Sequence, residues 1–304
     1  MSNSDPTSFV KKIAVTQWEQ PTARLDWAAD LEAGRILHFE ALPFIVDHSE
    51  QRFFDAGIQS KGARNISLDS SGTLKGMNAS AEDQKALTQF ILRYRDLAQQ
   101  LVDSAFPKYK TDLRVAPTSF RPNQVETRTQ SVRADDKRLH IDAFPTRPNY
   151  GERILRVFLN VNPLGQPRVW RVGEPFIEIA KQFVPKIKPY SAWQAKALSA
   201  LGITKSLRSE YDHLMLGIHD GMKRSDQYQS ESNQITYNFP PGSVWVCFSD
   251  QAAHAVMAGQ FMMEQTYHLP VTSLYDSQTS PLQILQKLTH KERIRQSITR
   301  RSKS

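Results

Sequence analysis

The chain has 304 residues, more than one ordinary core requires, so one enlarged domain or a domain with an appendage is expected. Hydrophobic residues at 39%, with 15 Phe, 9 Tyr and 5 Trp against only 13 Gly and 17 Pro, exclude collagen-like, low-complexity and disordered chains. Cys247 stands alone, which excludes an internal disulfide and fits a reducing compartment, while the net charge of +8 points toward an anionic partner.

Residues 1–34 are polar and expected to be loosely held, apart from one short helix around 24–31. The opening residues lack the apolar stretch of a signal peptide and no run of 18 apolar residues occurs, so a cytoplasmic protein is expected. The segment 35–46 (RILHFEALPFIV) is apolar enough for a strand or a buried edge. Ser80 and Asp83 start a capping box, and Leu87, Phe90, Ile91, Tyr94, Leu97, Leu101 and Val102 recur at helical spacing, which predicts a helix facing the core. Beyond Leu113 the pattern changes to short segments separated by turns, and 153–162 (RILRVFLNVN) reads as a strand with period two. Residues 176–226 read as helical pieces broken at Pro185 and Pro189. Strand signals resume at 234–238, 243–248 and 261–269.

This order argues for an α+β protein or an all-β barrel dressed with helices, not for alternating βαβ units. Three regions are expected: a loosely structured segment 1–34, a domain 35–280 and a basic tail 281–304. The tail carries seven Lys and Arg against the single acid Glu292, and Ser280 with Pro281 makes a helix start. Such a helix would place Leu282, Leu285 and Leu288 beside Lys287, Lys291 and Arg295. The expected partner of the tail is an anionic membrane surface.

No P-loop, GxSxG, GxGxxG or CxxC occurs. What remains is His140-Ile-Asp142. Residues i and i+2 of an extended strand project from one face, so both can grip one metal ion while a distant His completes a facial triad and leaves three positions open on Fe(II). His38-Phe-Glu40, His48-Ser-Glu50 and His290-Lys-Glu292 share the H-x-[DE] form, so context decides among them. Only His140 is followed by a turn, a long strand and, much later, a His just after another strand. That late ligand is assigned to His254 over His268, which sits inside the strand-like QTYHLP. Arg156, Phe158, Asn160 and Asn162 share one face of the long strand, and a buried polar face of this kind suits a cavity. Arg156 could pair with the distal carboxylate of 2-oxoglutarate, or alternatively with a buried acid such as Glu264.

RADDKRLHIDAFPTRP, GERILRVFLNVNPLGQPRVWRVGEPF and DQAAHAVMAGQFMMEQTYHLP, together with GRILHFEALPF and TSFRP, resemble the bacterial Kdo hydroxylases. These Fe(II)/2-oxoglutarate dioxygenases act on the 3-deoxy-D-manno-oct-2-ulosonic acid of the lipopolysaccharide inner core. The resemblance runs from about Gly34 to Pro270 and leaves out the N-terminal segment and the basic tail. It implies a double-stranded β-helix (jelly-roll) core with flanking helices, Fe(II) on His140, Asp142 and His254, and O2 and 2-oxoglutarate as further reactants. It also implies hydroxylation at C3 of Kdo in Kdo-lipid A to give Ko. The position where many such enzymes carry a cosubstrate Arg is Glu264 here, followed by Thr266. The cofactor-binding set is therefore Arg156, Asn160 and Thr266, with Arg133 and Arg168 for the anionic substrate. A peripheral association with the inner membrane follows from the lipid-borne acceptor. Two other readings are an oxygenase of nucleic acid or protein, and a basic nucleic-acid-binding module without metal. The tail carries no aromatic residue for base stacking, which counts against the second.

Overall fold

The computed structural model describes residues 9–19, 23–127 and 130–292. The chain opens with strand β1 (Val10–Ile13), helix α1 (Leu25–Glu32) and β2 (Ile36–Phe39). A small hairpin, β3 (Ile66–Leu68) and β4 (Leu74–Lys75), precedes the long helix α2 (Ala81–Ala105) and then β5 (Arg114–Arg121), β6 (Arg153–Asn160) and β7 (Arg168–Gly173). A helical block follows: α3 (Phe176–Phe183), α4 (Ala192–Ala200), α5 (Glu210–Arg224) and α6 (Asp226–Glu231). The remaining elements are β8 (Gln234–Phe239), β9 (Val244–Phe248), β10 (His254–Ala258), β11 (Met262–Leu269) and α7 (Pro281–Thr289). The expected helical insert between strand regions is thus present.

Eight strands form one sheet in the order β1-β2-β9-β6-β11-β5-β3-β4, antiparallel except at β1 and β2, and β10-β7-β8 form a second, antiparallel sheet. One large sheet with helices makes this an α+β structure. The sheets do not close into a barrel by hydrogen bonding, contrary to the plainest form of the expectation. β1 and β2 extend the large sheet beyond β9, and β3 and β4 extend it beyond β5.

Period two on β6 explains how the layers meet. Val157 and Leu159 point into the main core with Leu87, Phe90 and Ile91 of α2, and the Tyr94 hydroxyl donates to the Val157 carbonyl at 2.7 Å. The opposite face carries Phe158, which with Trp245 of β9 meets Trp170 and Phe239 of the small sheet at ring separations of 4.2 to 5.7 Å. This aromatic layer spaces the two sheets. Ser80 caps α2 by accepting from the Asp83 amide at 3.1 Å, as its sequence signature requires.

Two expectations are corrected. Within the N-terminal segment, β1 pairs with β2, and Ile13, Trp18, Trp27 and Leu31 are buried in the core, because apolar residues scattered through a polar stretch still find a sheet edge to cover. The apolar face of α7 is not free for a membrane either: Leu282 and Leu285 are buried in the core and Leu288 packs against it. The tail cations Arg293, Arg295, Arg300, Arg301 and Lys303 lie outside the described residues. No helix among the described residues is long and apolar enough to cross a membrane.

Candidate metal centre

His140, Asp142 and His254 come together between the sheets, each offering one ligand atom, with these atoms all within 4.8 Å of one another. The main chain sets the spacing. The His140 amide donates to the His254 carbonyl at 3.0 Å, and the His254 amide returns a bond to the His140 carbonyl at 2.8 Å, so the two form a bridged pair at the edge of the small sheet. Asp142 is tied down two residues later, its amide donating to the Ser249 carbonyl at 2.8 Å. Gly173 makes this packing feasible, since a Cβ there would lie 2.8 Å from a Leu139 methyl.

Side-chain bonds then fix which ring nitrogens face inward. His140 Nδ1 lies 2.7 Å from the Arg138 carbonyl and His254 Nδ1 lies 2.9 Å from that of Ala252. A carbonyl only accepts, so both Nδ1 atoms carry the proton and both Nε2 lone pairs are directed at the centre. Burial, and for His140 next the proximity of His254, lowers the pKa of both imidazoles and keeps them neutral. Burial alone would raise Asp142, but the neighbouring positive charges, Arg156 foremost, hold it well below the usual carboxylate range. Trp170 stacks on the His254 ring at 5.1 Å and His219 meets the His140 ring edge-on at 5.6 Å. Two neutral imidazoles and one ionised carboxylate on one side of a cavity are the donor set of an octahedral Fe(II) site with open positions.

The cavity holds about 400 Å³ and is lined by these ligands with Arg121, Arg156, Arg168 and Glu264 among others. Arg156 lines this cavity; its Nη2 is 3.2 Å from Asp142 Oδ2 and its Nη1 is 3.4 Å from Glu264 Oε1, the alternative acid partner. Arg121 of β5 donates to the other Glu264 oxygen at 2.7 Å. Arg121 and Arg156 together outweigh burial and keep Glu264 below its ordinary pKa.

The remaining expected residues divide. Arg168 is buried at the start of β7, lines the cavity and donates to the Gly259 carbonyl at 2.9 Å. Asn160 does not reach the cavity: its amide donates to the carbonyls of Gln166 and Phe239, and its oxygen accepts from the Asn162 amide, so it organises the turn after β6. Thr266 lines an adjoining cavity and its hydroxyl donates to Glu264 at 3.3 Å. Arg133 is half exposed, pairs with Asp220 and does not line the metal cavity. The rival His268 lines the adjoining cavity and lies outside the cluster.

The other H-x-[DE] pairs serve structure. His38 sits between the hydroxyls of Tyr237 and Ser243 at 2.8 and 3.0 Å, Glu50 pairs with Arg93, and His290 takes a left-handed conformation at the end of α7. Sequence reasoning passed over Trp170 and His219. His219 follows Met215 by four residues on the buried face of α5, and a His on an apolar helical stripe was the available signal. Trp170 lies between Arg168 and Val172 in a strand alternation.

The family model for 3-deoxy-D-manno-oct-2-ulosonic acid (Kdo) hydroxylase matches residues 14–292. The apo structure of the Kdo hydroxylase KdoO, a non-heme Fe(II) alphaketoglutarate-dependent dioxygenase, superposes with a TM-score of 0.90 at 40% identity, covering 96% of this chain and 99% of that one. KdoO in complex with cobalt(II) gives 0.90 at 40%, covering 95% and 99%, and KdoO with alphaketoglutarate and Fe(III) gives 0.89 at 39%, covering 96% and 99%. No curated protein sequence matches the chain.

Proposed function

This chain belongs to the Kdo hydroxylase family, and from that premise we propose that it hydroxylates C3 of Kdo carried on lipid A, with His140, Asp142 and His254 as the iron ligands. It is an Fe(II)/2-oxoglutarate-dependent dioxygenase that hydroxylates Kdo. One observation carries the ligand assignment: both Nδ1 atoms are committed to backbone carbonyls, which turns both Nε2 atoms toward the carboxylate. The order β9-β6-β11-β5 opposite β10-β7-β8, extended by the His140 bridge, supports the double-stranded β-helix as the underlying plan.

Fe(II) bound there supplies O2 activation coupled to oxidative decarboxylation of the 2-oxo acid. The chain's own residues position the reactants. Arg156 already stands between two carboxylates, so its task is to hold Asp142 by Oδ2 and leave Oδ1 for the metal. The distal carboxylate of the cosubstrate then falls to Arg168. His254 pairs with Val172 across the small sheet, which puts Arg168 four residues along β7, roughly 13 Å by strand rise. A five-carbon dicarboxylate and an extended arginine span that distance together. Glu264 lines the same cavity, and Thr266 bonds to it from the adjoining one.

An acceptor anchored in lipid brings the enzyme to a membrane surface, and the charge of the tail supports that association. Family membership sets aside the metal-free nucleic-acid module. The decisive experiment loads the protein with Fe(II) and 2-oxoglutarate under argon, admits air, and follows Kdo-lipid A by mass spectrometry. A gain of one oxygen on the Kdo, at C3 by fragmentation, is expected together with one succinate per product. Succinate formation that Kdo-lipid A leaves unstimulated would overturn the substrate assignment.

A further inference from the structure

Between Ile179 and Ser209 the chain has no acidic residue and six basic ones, Lys181, Lys186, Lys188, Lys196, Lys205 and Arg208. The same stretch contains three of the most exposed large apolar side chains among the described residues: Trp193 at 76%, Leu201 at 73% and Ile203 at 53%. Ala195 is the only buried residue of α4, so this helix uses almost none of its surface to build the core. Trp193 and Lys196 stand three residues apart on its outer side, and the chain then turns at Gly202, whose φ is +70°, so that Leu201 and Ile203 flank the turn. Lys186, Lys188, Lys196 and Lys205 of the same stretch are also exposed.

We infer that 186–205 is the surface by which the enzyme docks on an anionic phospholipid bilayer, Trp193, Leu201 and Ile203 entering the interface and the lysines meeting the headgroups. Exposed aromatic and aliphatic side chains in a stretch that carries lysines and no acidic residue of its own match the amphipathic, negatively charged surface of such a bilayer. The chain leading into the docking element is packed in place. Cβ atoms on Gly217 and Gly221 of α5 would lie 2.6 Å from Ile187 and 2.7 Å from Phe183, so these glycines let the chain leading into α4 seat directly against α5.

The patch is also joined to the site. The Lys205 amide donates to the Thr146 carbonyl at 2.9 Å, Arg208 to that of Pro145 at 2.7 Å, and the Tyr150 hydroxyl to that of Leu207 at 2.8 Å. The loop so gripped, 144–149, lines the cavity that adjoins the metal cavity and shares Arg121, Arg156 and Glu264 with it. A headgroup rising from the bilayer beside α4 would meet that loop first. This assignment rests on the lipid-borne acceptor proposed above and names the surface that brings it in.

Trp193 is its own reporter, because Trp18, Trp27, Trp170 and Trp245 are all buried. The test adds the full-length, Fe(II)-loaded protein to vesicles of phosphatidylethanolamine with phosphatidylglycerol, and separately to pure phosphatidylcholine. On the anionic vesicles the emission should shift to the blue and be quenched by brominated acyl chains, with little change on phosphatidylcholine. The combined variant Trp193→Ser, Leu201→Ser, Ile203→Ser should sediment with anionic vesicles about tenfold less well or worse. Lys188→Glu with Lys196→Glu should weaken binding mainly at low salt. Turnover of a water-soluble, deacylated Kdo acceptor should be the same in all of these proteins. The docking surface is overturned if the emission does not move on anionic vesicles, if the serine variant sediments like the parent, or if the parent does not bind at all. A parent that docks in this way yet oxidises no Kdo acceptor would refute the proposed reaction and leave the docking surface standing.

Discussion

Arg156 Nη2 stands 3.2 Å from Asp142 Oδ2, so the carboxylate that completes the metal triad is held from behind by a buried guanidinium. The same guanidinium lies 3.4 Å from Glu264 and thus balances two buried acids at once. Arg156→Ala removes that balance and should cost about 3 to 5 kcal/mol in urea-denaturation stability, the usual penalty for leaving buried carboxylates without their cation. Arg156→Lys should recover part of the loss. Wild-type stability in the alanine variant would refute the role.

The three ligand assignments are tested one at a time. His140→Ala, Asp142→Ala and His254→Ala should each reduce Fe(II)-dependent succinate formation by more than about 100-fold, since even outer partners of metal ligands account for tenfold to 100-fold effects. Circular dichroism should stay that of the parent. His268→Ala, outside the cluster, should keep most of the activity, and a collapse there with survival of His254→Ala would exchange their roles.

Arg168→Ala should raise the apparent KM for 2-oxoglutarate by a factor equivalent to about 2 to 4 kcal/mol while Fe(II) affinity measured under argon stays within a few-fold. Arg156→Ala should instead disturb the Fe(II) affinity. If the two variants show the reverse pattern, the distal carboxylate belongs to Arg156.

The apo protein should lose stability in mild acid. Burial pushes His38 down to about 4, so the folded state keeps it neutral while the unfolded chain takes up a proton below about pH 6.5. The unfolded state then binds more protons, and stability falls as pH drops from 6.5 toward 4, by about 3 kcal/mol from this residue. His38→Gln should flatten the dependence of the urea midpoint on pH across that window. An unchanged slope would mean that His38 is not the titrating group.

The sequence exposed much of this site because extended strands write their two faces into alternate residues. Arg156 and Phe158 on one side and Val157 and Leu159 on the other were separable by period alone, and the helix after Ser80 announced itself by its cap. Asn160 obeyed the same alternation yet lies at the end of β6, where the backbone turns and claims its amide. Trp170 and His219 stayed hidden for a different reason. Each reaches the centre from an element distant in sequence, and no local pattern encodes which strand or helix will be its neighbour. The anchoring role expected of Leu282 and Leu285 failed similarly, since amphipathic spacing states that a face will be buried but not against what.

The reciprocal amide bonds between His140 and His254 have a bearing on how the protein handles its metal. The spacing of the two ligand residues is written into a strand-edge pair of backbone bonds that need no ion. Loading is then closer to filling a finished socket than to folding around a nucleus. Chelation should strip the ion without melting the domain, and reconstitution should proceed at the pace of ion entry, so that depleted enzyme constitutes a recoverable reserve whenever iron supply fluctuates.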